Sequence, residues 1–419
     1  MIKLIEKIEG EAKLNFHFKN NKIDNVDVDF MSTRHIEDIL KGKSPLDALV
    51  INPRVCGICG HAHLIATVRA LEDCYESIEI SNKAKIIREL TLNFELIQNH
   101  FKWFYLTIFP LFGFKQNVMK AVIPSQLMGK AIALFGGQYP HTSYAIVGGV
   151  VCEITQMDLI KLGHYIDETI QFFEKNLLDV DVQMLQDCDN VMNVLSKSGD
   201  LVDVLHLIEK NGWLEYGKSY DRFIVFGESS YFTKGKSIKT RVMHNLFLED
   251  VIESVSTTSF AKSVHYHGKY YEVGPLSRAM VKKTPLIKDA HKKYTDSIFT
   301  RILARVCEIS QLLLHCKSLI TELDLSEPSY IKPKMDITSL NSSGSSAVEA
   351  ARGTLIHKVV IEDSLIKSYE IITPTQWNLC GGVNENHGVS QKAMIGLENI
   401  EIAELVFKSF DVCSVCTTH

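Results

Sequence analysis

A chain of 419 residues is long enough that core burial does not limit stability, and 46% apolar with 23% charged residues is the composition of a water-soluble globular protein. A net charge of -5 argues against nucleic acid or an anionic membrane surface as the main partner. No apolar run approaches the ~18 residues of a membrane span, and the opening "MIKLIEKIEGEAKLNF" is charged every few residues rather than signal-like, so a cytoplasmic location is expected.

Residues 1–50 predict a β region. In "KLNFHFKNNKIDNVDVDF", Leu14, Phe16 and Phe18 alternate with polar residues, as do Val26, Val28 and Phe30, and "KNNK" supplies a turn between them. Residues 51–419 predict mainly helix. From Ser81, an N-cap by type, apolar residues recur at Ile87, Leu90, Phe94, Ile97, Phe101, Phe104 and Ile108, the spacing of a wide buried stripe. Met157 to Leu185 predicts a third, less regular helix. Around 215–275, aromatic and Gly-punctuated segments such as "YFTKGK" and "YHGKYYEVGP" predict inserted strands and loops. A strong helix follows with Ile298, Ile302, Val306, Ile309, Leu313, Cys316 and Ile320 on its stripe and Arg301, Arg305 and Glu308 off it. "SSGSS", Ser342 to Ser346, predicts a local loop. No repeat or low-complexity linker divides the chain. The expectation is one compact domain, 1–419, of α+β class and predominantly α-helical, with a central long-helix bundle and a small antiparallel β-sheet at the N-terminus.

Ten cysteines are too few for a secreted disulfide framework, and Cys74, Cys152, Cys188, Cys307, Cys316 and Cys380 are isolated. The other four stand in pairs at the two ends, in "RVCGICGHAH" (Arg54 to His63) and "DVCSVCTTH" (Asp411 to His419). Two residues between cysteines let both sulfurs turn toward one point, and two such pairs make a tetrathiolate site. Structural zinc is the commonest fate of such a set. Against it, zinc knuckles fold short local loops, whereas these pairs lie most of a chain apart.

Further landmarks run in order: "KIEGEA" at 7–12, "RHIEDILKGKSPLDA" at 34–48, "GGQYPHTSYAIVGGV" at 136–150, "YEVGPLSRAM" at 271–280, "EAARGTLIH" at 349–357 and "TPTQWN" at 373–378. With the two cysteine motifs, these resemble the large, catalytic subunit of nickel-iron hydrogenases, whose patterns are Arg-x-Cys-Gly-x-Cys-x-x-x-His and Asp-Pro-Cys-x-x-Cys-x-x-His. The likeness spans the chain and is thinnest between about 160 and 260.

The resemblance implies that Cys56 and Cys413 are terminal nickel ligands, while Cys59 and Cys416 bridge nickel to an iron carrying one CO and two cyanide ligands. Soft thiolates suit both metals. The formal charges of such a centre sum to about -2, which in a buried site needs cationic and hydrogen-bonding partners. By the same resemblance, Arg352 leans over the open metal position with Asp411 as its partner. Thr375 donates to a cyanide, and His63 hydrogen-bonds a bridging sulfur. Cys413 is the first proton acceptor and Glu9 the next, with Arg352 as an alternative base. Glu37, the Ile371 carbonyl and His419 hold Mg2+. His419 reads as a terminus cut after nickel insertion by maturation factors, which also supply the iron ligands.

Three departures from the family pattern bear on the site. Val412 replaces proline, Lys7 and Glu11 replace Arg and His, and "LTIFPLFGF" lacks a carboxylate that pairs with Arg352 in the family. Leu111 is the nearest candidate position for that carboxylate, and weaker positioning of Arg352 is expected. The implied activity is reversible splitting of H2, with electrons leaving through an iron-sulfur small subunit, since no spare Cys constellation holds a cluster here. An H2 sensor with slow turnover is the alternative. A zinc protein and a relative of the complex I subunit of this fold are the remaining rivals, and the latter lacks the four cysteines.

Overall fold

The computed structural model describes residues 2–8, 10–31, 33–256, 259–382 and 386–413, with side chains from residue 12 onward. Three N-terminal strands, β1 (Ile2–Ile8), β2 (Gly10–Lys19) and β3 (Lys22–Phe30), pair antiparallel in that order. Asn20 and Asn21 turn the β2–β3 hairpin at positive φ (51° and 60°), a conformation asparagine tolerates better than most residues. Leu14, Phe16, Val26, Val28 and Phe30 are buried as their alternation predicts. Phe18 is exposed instead. The register shifts between His17 and Phe18, and that irregularity ends the alternation.

The helical part is built on α1 (Gly60–Glu72), α2 (Asn82–Trp103), α3 (Val118–Gly136), α4 (Gln156–Phe172) and α5 (Ile298–Glu322). Ser81 caps α2, its hydroxyl accepting from the Ala84 N–H at 3.1 Å. The α2 stripe continues through a wider π-helical turn, Phe104–Ile108, in which Phe104 and Ile108 stay buried. One helix among the described residues, α3, is long and apolar enough by length and composition to cross a bilayer. Its Ala121, Met128, Ala131, Ile132 and Phe135 are buried and it packs on α2, while Val118, Met119 and Ile123 are exposed. The segment predicted as one helix from Met157 to Leu185 is interrupted: α4 gives way to a π-helical turn, Phe173–Leu177, and helix resumes at Val182–Asp187.

Around 215–275 the expected strands are present, as Arg222–Val225, Gly235–Ile238 and Arg241–Met243 in one sheet and Val251–Ser254 with Ser263–Tyr266 in another. A three-stranded antiparallel sheet follows α5: β4 (Ser342–Ala350), β5 (Gly353–Glu362) and β6 (Leu365–Ile372). "SSGSS" is therefore strand, not loop. β4 lies against α1, and a Cβ at Gly344 would collide with the Ala70 carbonyl, so the small residues there serve a close approach. After β6 come α6 (Pro374–Leu379) and α7 (Ile400–Ser409), which delivers the chain to Asp411 and Cys413.

In α5 the charged side is buried along with the apolar stripe. Arg301, Arg305 and Glu308, off its apolar stripe, are 3–4% exposed. From Ile298 to Ser310 the helix is enclosed on both faces, and its second face is made of ion pairs rather than solvent.

Candidate metal centre

A short turn, Asn52–Arg54, leads into Cys56, and Cys59 is the N-cap of α1. Cys413 arrives from the other end of the chain after α7. The three sulfurs lie within 4.8 Å of one another and all three residues are buried; among the described residues this is the one His/Cys/Asp/Glu cluster with metal-binding spacing. Cys56 and Cys413 sulfurs are 3.8 Å apart. That is far beyond a disulfide bond, and it matches thiolates ~2.3 Å from one tetrahedral ion. The Cys59 N–H donates to the Cys56 sulfur at 3.3 Å, favouring the thiolate. Cys416 lies outside the described residues, as do Glu9 and His419.

Positive charge converges on the same place. Arg352 follows β4, and its Nη2 pairs with Asp411 Oδ1 at 3.2 Å. Arg305 Nη1 holds the other oxygen, Oδ2, at 2.7 Å. Asp411 itself sits at φ 66°, so the residue linking both arginines occupies the left-handed region that Asp tolerates. Burial opposes the Arg352 charge, but Asp411 and the Cys413, Cys59 and Cys56 thiolates hold its pKa well above the ordinary value. Arg352 Nε and Nη1 and the Thr375 hydroxyl, at the start of α6, are buried with no hydrogen-bond partner among the described residues. Each unmet donor costs about 1–3 kcal/mol. An anionic group with acceptor ligands beside the sulfurs relieves that cost, so the donor set fits a soft metal centre of this kind.

His63 is buried one turn past Cys59, its N–H on the Cys59 carbonyl at 3.4 Å and its Nδ1 3.0 Å from His357 Nε2. His357 Nδ1 is 2.8 Å from the Tyr369 hydroxyl. The structure thus adds His357 and Tyr369 to the expected histidine. Glu37 and Ile371 meet: the Ile371 N–H donates to Glu37 Oε1 at 2.8 Å. Lys262 Nζ lies 3.2 Å from Glu37 Oε2 and 3.1 Å from Glu253 Oε2, so an ammonium bridges two carboxylates beside the residues expected to bind Mg2+.

The ion network reached by Arg305 has no counterpart in the sequence reading. His100 Nδ1 is 3.3 Å from Arg305 Nη1, and its Nε2 is 2.8 Å from Glu308 Oε2. Glu308 pairs with Arg278 at 2.6 Å, and Arg278 with Glu349 at 3.0 Å. Leu111, the position considered for a second carboxylate partner of Arg352, is 37% exposed just past the π-helical turn. The wider turn moves it off the buried face. Arg352 keeps one described carboxylate partner, and it shares that partner with Arg305.

Burial pushes His100 down to about 4, with Glu308 opposing. As pH falls from 6.5, the unfolded chain binds the proton first, so stability present above that pH is withdrawn down to about 4. His100→Gln, which keeps one donor and one acceptor, is expected to flatten the loss of stability in that window by up to about 3 kcal/mol, at ~1.4 kcal/mol per pH unit. Urea denaturation at stepped pH reads this directly; an unchanged slope refutes the neutral, buried imidazole.

The family model for nickel-dependent hydrogenases matches residues 34–108 and 226–419. The Hydrogenase-2 large chain of Escherichia coli (strain K12) is 22% identical, with 99% of this chain and 96% of that protein covered. The Sulfhydrogenase 1 subunit alpha of Pyrococcus furiosus is 23% identical, with 99% and 96% covered. In structure, the Ni-Fe-Se hydrogenase from D. vulgaris Hildenborough superposes with a TM-score of 0.85 at 21% identity, covering 100% of both chains. That likeness extends over the helices and small sheets alike.

Proposed function

Since the chain belongs to the nickel-dependent hydrogenase family, we propose that it is the catalytic subunit of a nickel-iron hydrogenase, cleaving or forming H2 at a centre held by two Cys-x-x-Cys pairs. The observation that carries this is the meeting of Cys56, Cys59 and Cys413 in one buried cluster. Cys416, the partner of Cys413 in its Cys-x-x-Cys pair, would complete the ligand set. When bound, the centre supplies a Lewis-acid position and an electron acceptor for heterolytic splitting of H2.

The chain's own residues supply the remainder. Cys413 Sγ would take the proton first, and Glu9 is the carboxylate that would carry it onward. The buried Arg352 guanidinium stays charged through the cycle and would offer fixed donors beside the bound centre. Its Nε and Nη1 and the Thr375 hydroxyl are suited to the two cyanides of an iron that also carries CO. His63, held through Nδ1 by His357, would keep its other nitrogen for a hydrogen bond to a metal-binding sulfur. Glu37, the Ile371 carbonyl and His419 would hold Mg2+.

Hydrogenase large chains of this family pair with a small subunit. We place iron-sulfur clusters there, because the described residues of this chain hold no second cysteine cluster. Maturation factors insert nickel and the iron ligands before the centre closes.

Purified with its small subunit, the protein is expected to contain nickel and to reduce a viologen dye under H2. Cys56→Ser is expected to abolish both nickel retention and dye reduction. Nickel-replete protein that reduces no dye sinks the enzymatic reading; zinc in place of nickel sinks the centre itself. Slow turnover beside a signalling partner marks a sensor.

A further inference from the structure

Four orphan N–H groups at the start of a helix are ordinarily met in part by the N-cap side chain. In α1 the N-cap is Cys59, whose sulfur belongs to the metal cluster, and no N-cap side-chain bond forms. The missing acceptor comes from another helix. Glu95, 1% exposed on α2, accepts from the His61 N–H through Oε2 and from the Ala62 N–H through Oε1, both at 2.9 Å.

Its neighbours grip the same turn. Asn99 Nδ2, one turn along α2, donates to the Ile58 carbonyl at 2.9 Å and to the Glu95 carbonyl at 2.8 Å. The Tyr139 hydroxyl lies 3.4 Å from Glu95 Oε2 and 3.5 Å from the Ile58 carbonyl. Residue 58 stands between the two cysteines, and residues 61 and 62 follow Cys59 after Gly60. Gly60 allows a close approach to the turn before it, since a Cβ there would strike the Pro53 carbonyl.

We propose that Glu95, with Asn99 and Tyr139, is a positioning clamp that sets the orientation of the Cys56–Cys59 turn toward the metal. The carboxylate replaces the cap that Cys59 cannot provide, from a separate helix. Burial pushes the Glu95 carboxyl up to about 7, and the Ala62 and His61 N–H donors oppose that push. The clamp acts through the ligands, not on H2, and rests on the hydrogenase reading above.

The test compares Glu95→Gln and Glu95→Ala in the intact complex, reading nickel content, the nickel electron paramagnetic resonance spectrum, and kcat and KM for H2 per bound nickel. Gln presents an NH2 to one of the two N–H donors, so its effect should be graded between wild type and Ala. Expected are shifted or heterogeneous nickel signals and a loss of about 10–100-fold in kcat or nickel retention, with KM for H2 little changed. Thr155→Ala, which removes the exposed cap of α4, controls for simple loss of helix stability and should leave the signal unaltered. If Glu95→Ala does not fold, Glu95→Gln carries the test. Wild-type nickel signals and turnover per nickel in Glu95→Gln overturn the clamp. Wild-type protein that takes up no nickel overturns the hydrogenase reading instead, whatever the variants do.

Discussion

Replacing Arg352 by Lys is expected to lower H2-dependent dye reduction by roughly 10²–10³-fold, the range for losing a preorganised donor, with nickel content and stability near wild type. Lysine keeps the charge, and its ammonium can still meet Asp411, which Arg352 now contacts through Nη2 at 3.2 Å. What it cannot reproduce is the planar fork. Nε and Nη1 are the buried donors without a partner among the described residues, and both vanish in the substitution. A drop of less than about threefold, well under the expected range, would mean that those donors do not face the reacting position. Comparison per bound nickel separates this from loss of the centre.

Removing the Asp411 carboxylate should act on stability. Asp411→Ala leaves Arg305 and Arg352, both buried, without their shared anion, and breaking a buried ion pair costs about 3–5 kcal/mol. Arg305 retains the Trp103 ring, 4.6 Å from its guanidinium carbon, and His100, but neither carries the opposing charge. Asp411→Asn keeps an acceptor and should cost less. The expected result is a lower urea midpoint for Ala than for Asn, with nickel occupancy following the same order because Cys413 lies two residues on. Equal midpoints for both variants and wild type would show that the two arginines find other counter-charges.

The parts of this architecture legible in the sequence were those written in spacing. Two residues between cysteines brought Cys56 and Cys59 together, and the three-and-four rhythm from Ile87 to Ile108 marked a buried helix face through the π-helical turn. The same rule put Arg305 and Glu308 off the apolar stripe of α5 and said nothing of their partners. A helix enclosed on both sides reads as amphipathic when one wall pairs its charges with partners such as Asp411, Arg278 and His100, remote in the chain. Glu95 was silent because it sits beside Phe94 on an otherwise regular stripe, and its acceptors' role depends on the N–H groups of another helix. A cysteine standing where a helix needs Ser, Thr, Asp or Asn was the available hint. "SSGSS" misled because small polar residues suit a loop, yet they also suit a strand pressed onto α1.

Cys56 and Cys413 are 357 positions apart. At ~5–20 residues per second, the first thiol pair leaves the ribosome roughly 20–70 s before its counterpart exists. Through that interval it is a reduced, half-built chelator, open to capture by whichever thiophilic ion arrives first. Fidelity in metal choice is therefore a question of timing as much as of affinity. Once closed, the clasp ties the polypeptide into a ring whose entropic contribution, treated as a cross-link, is about 6 kcal/mol.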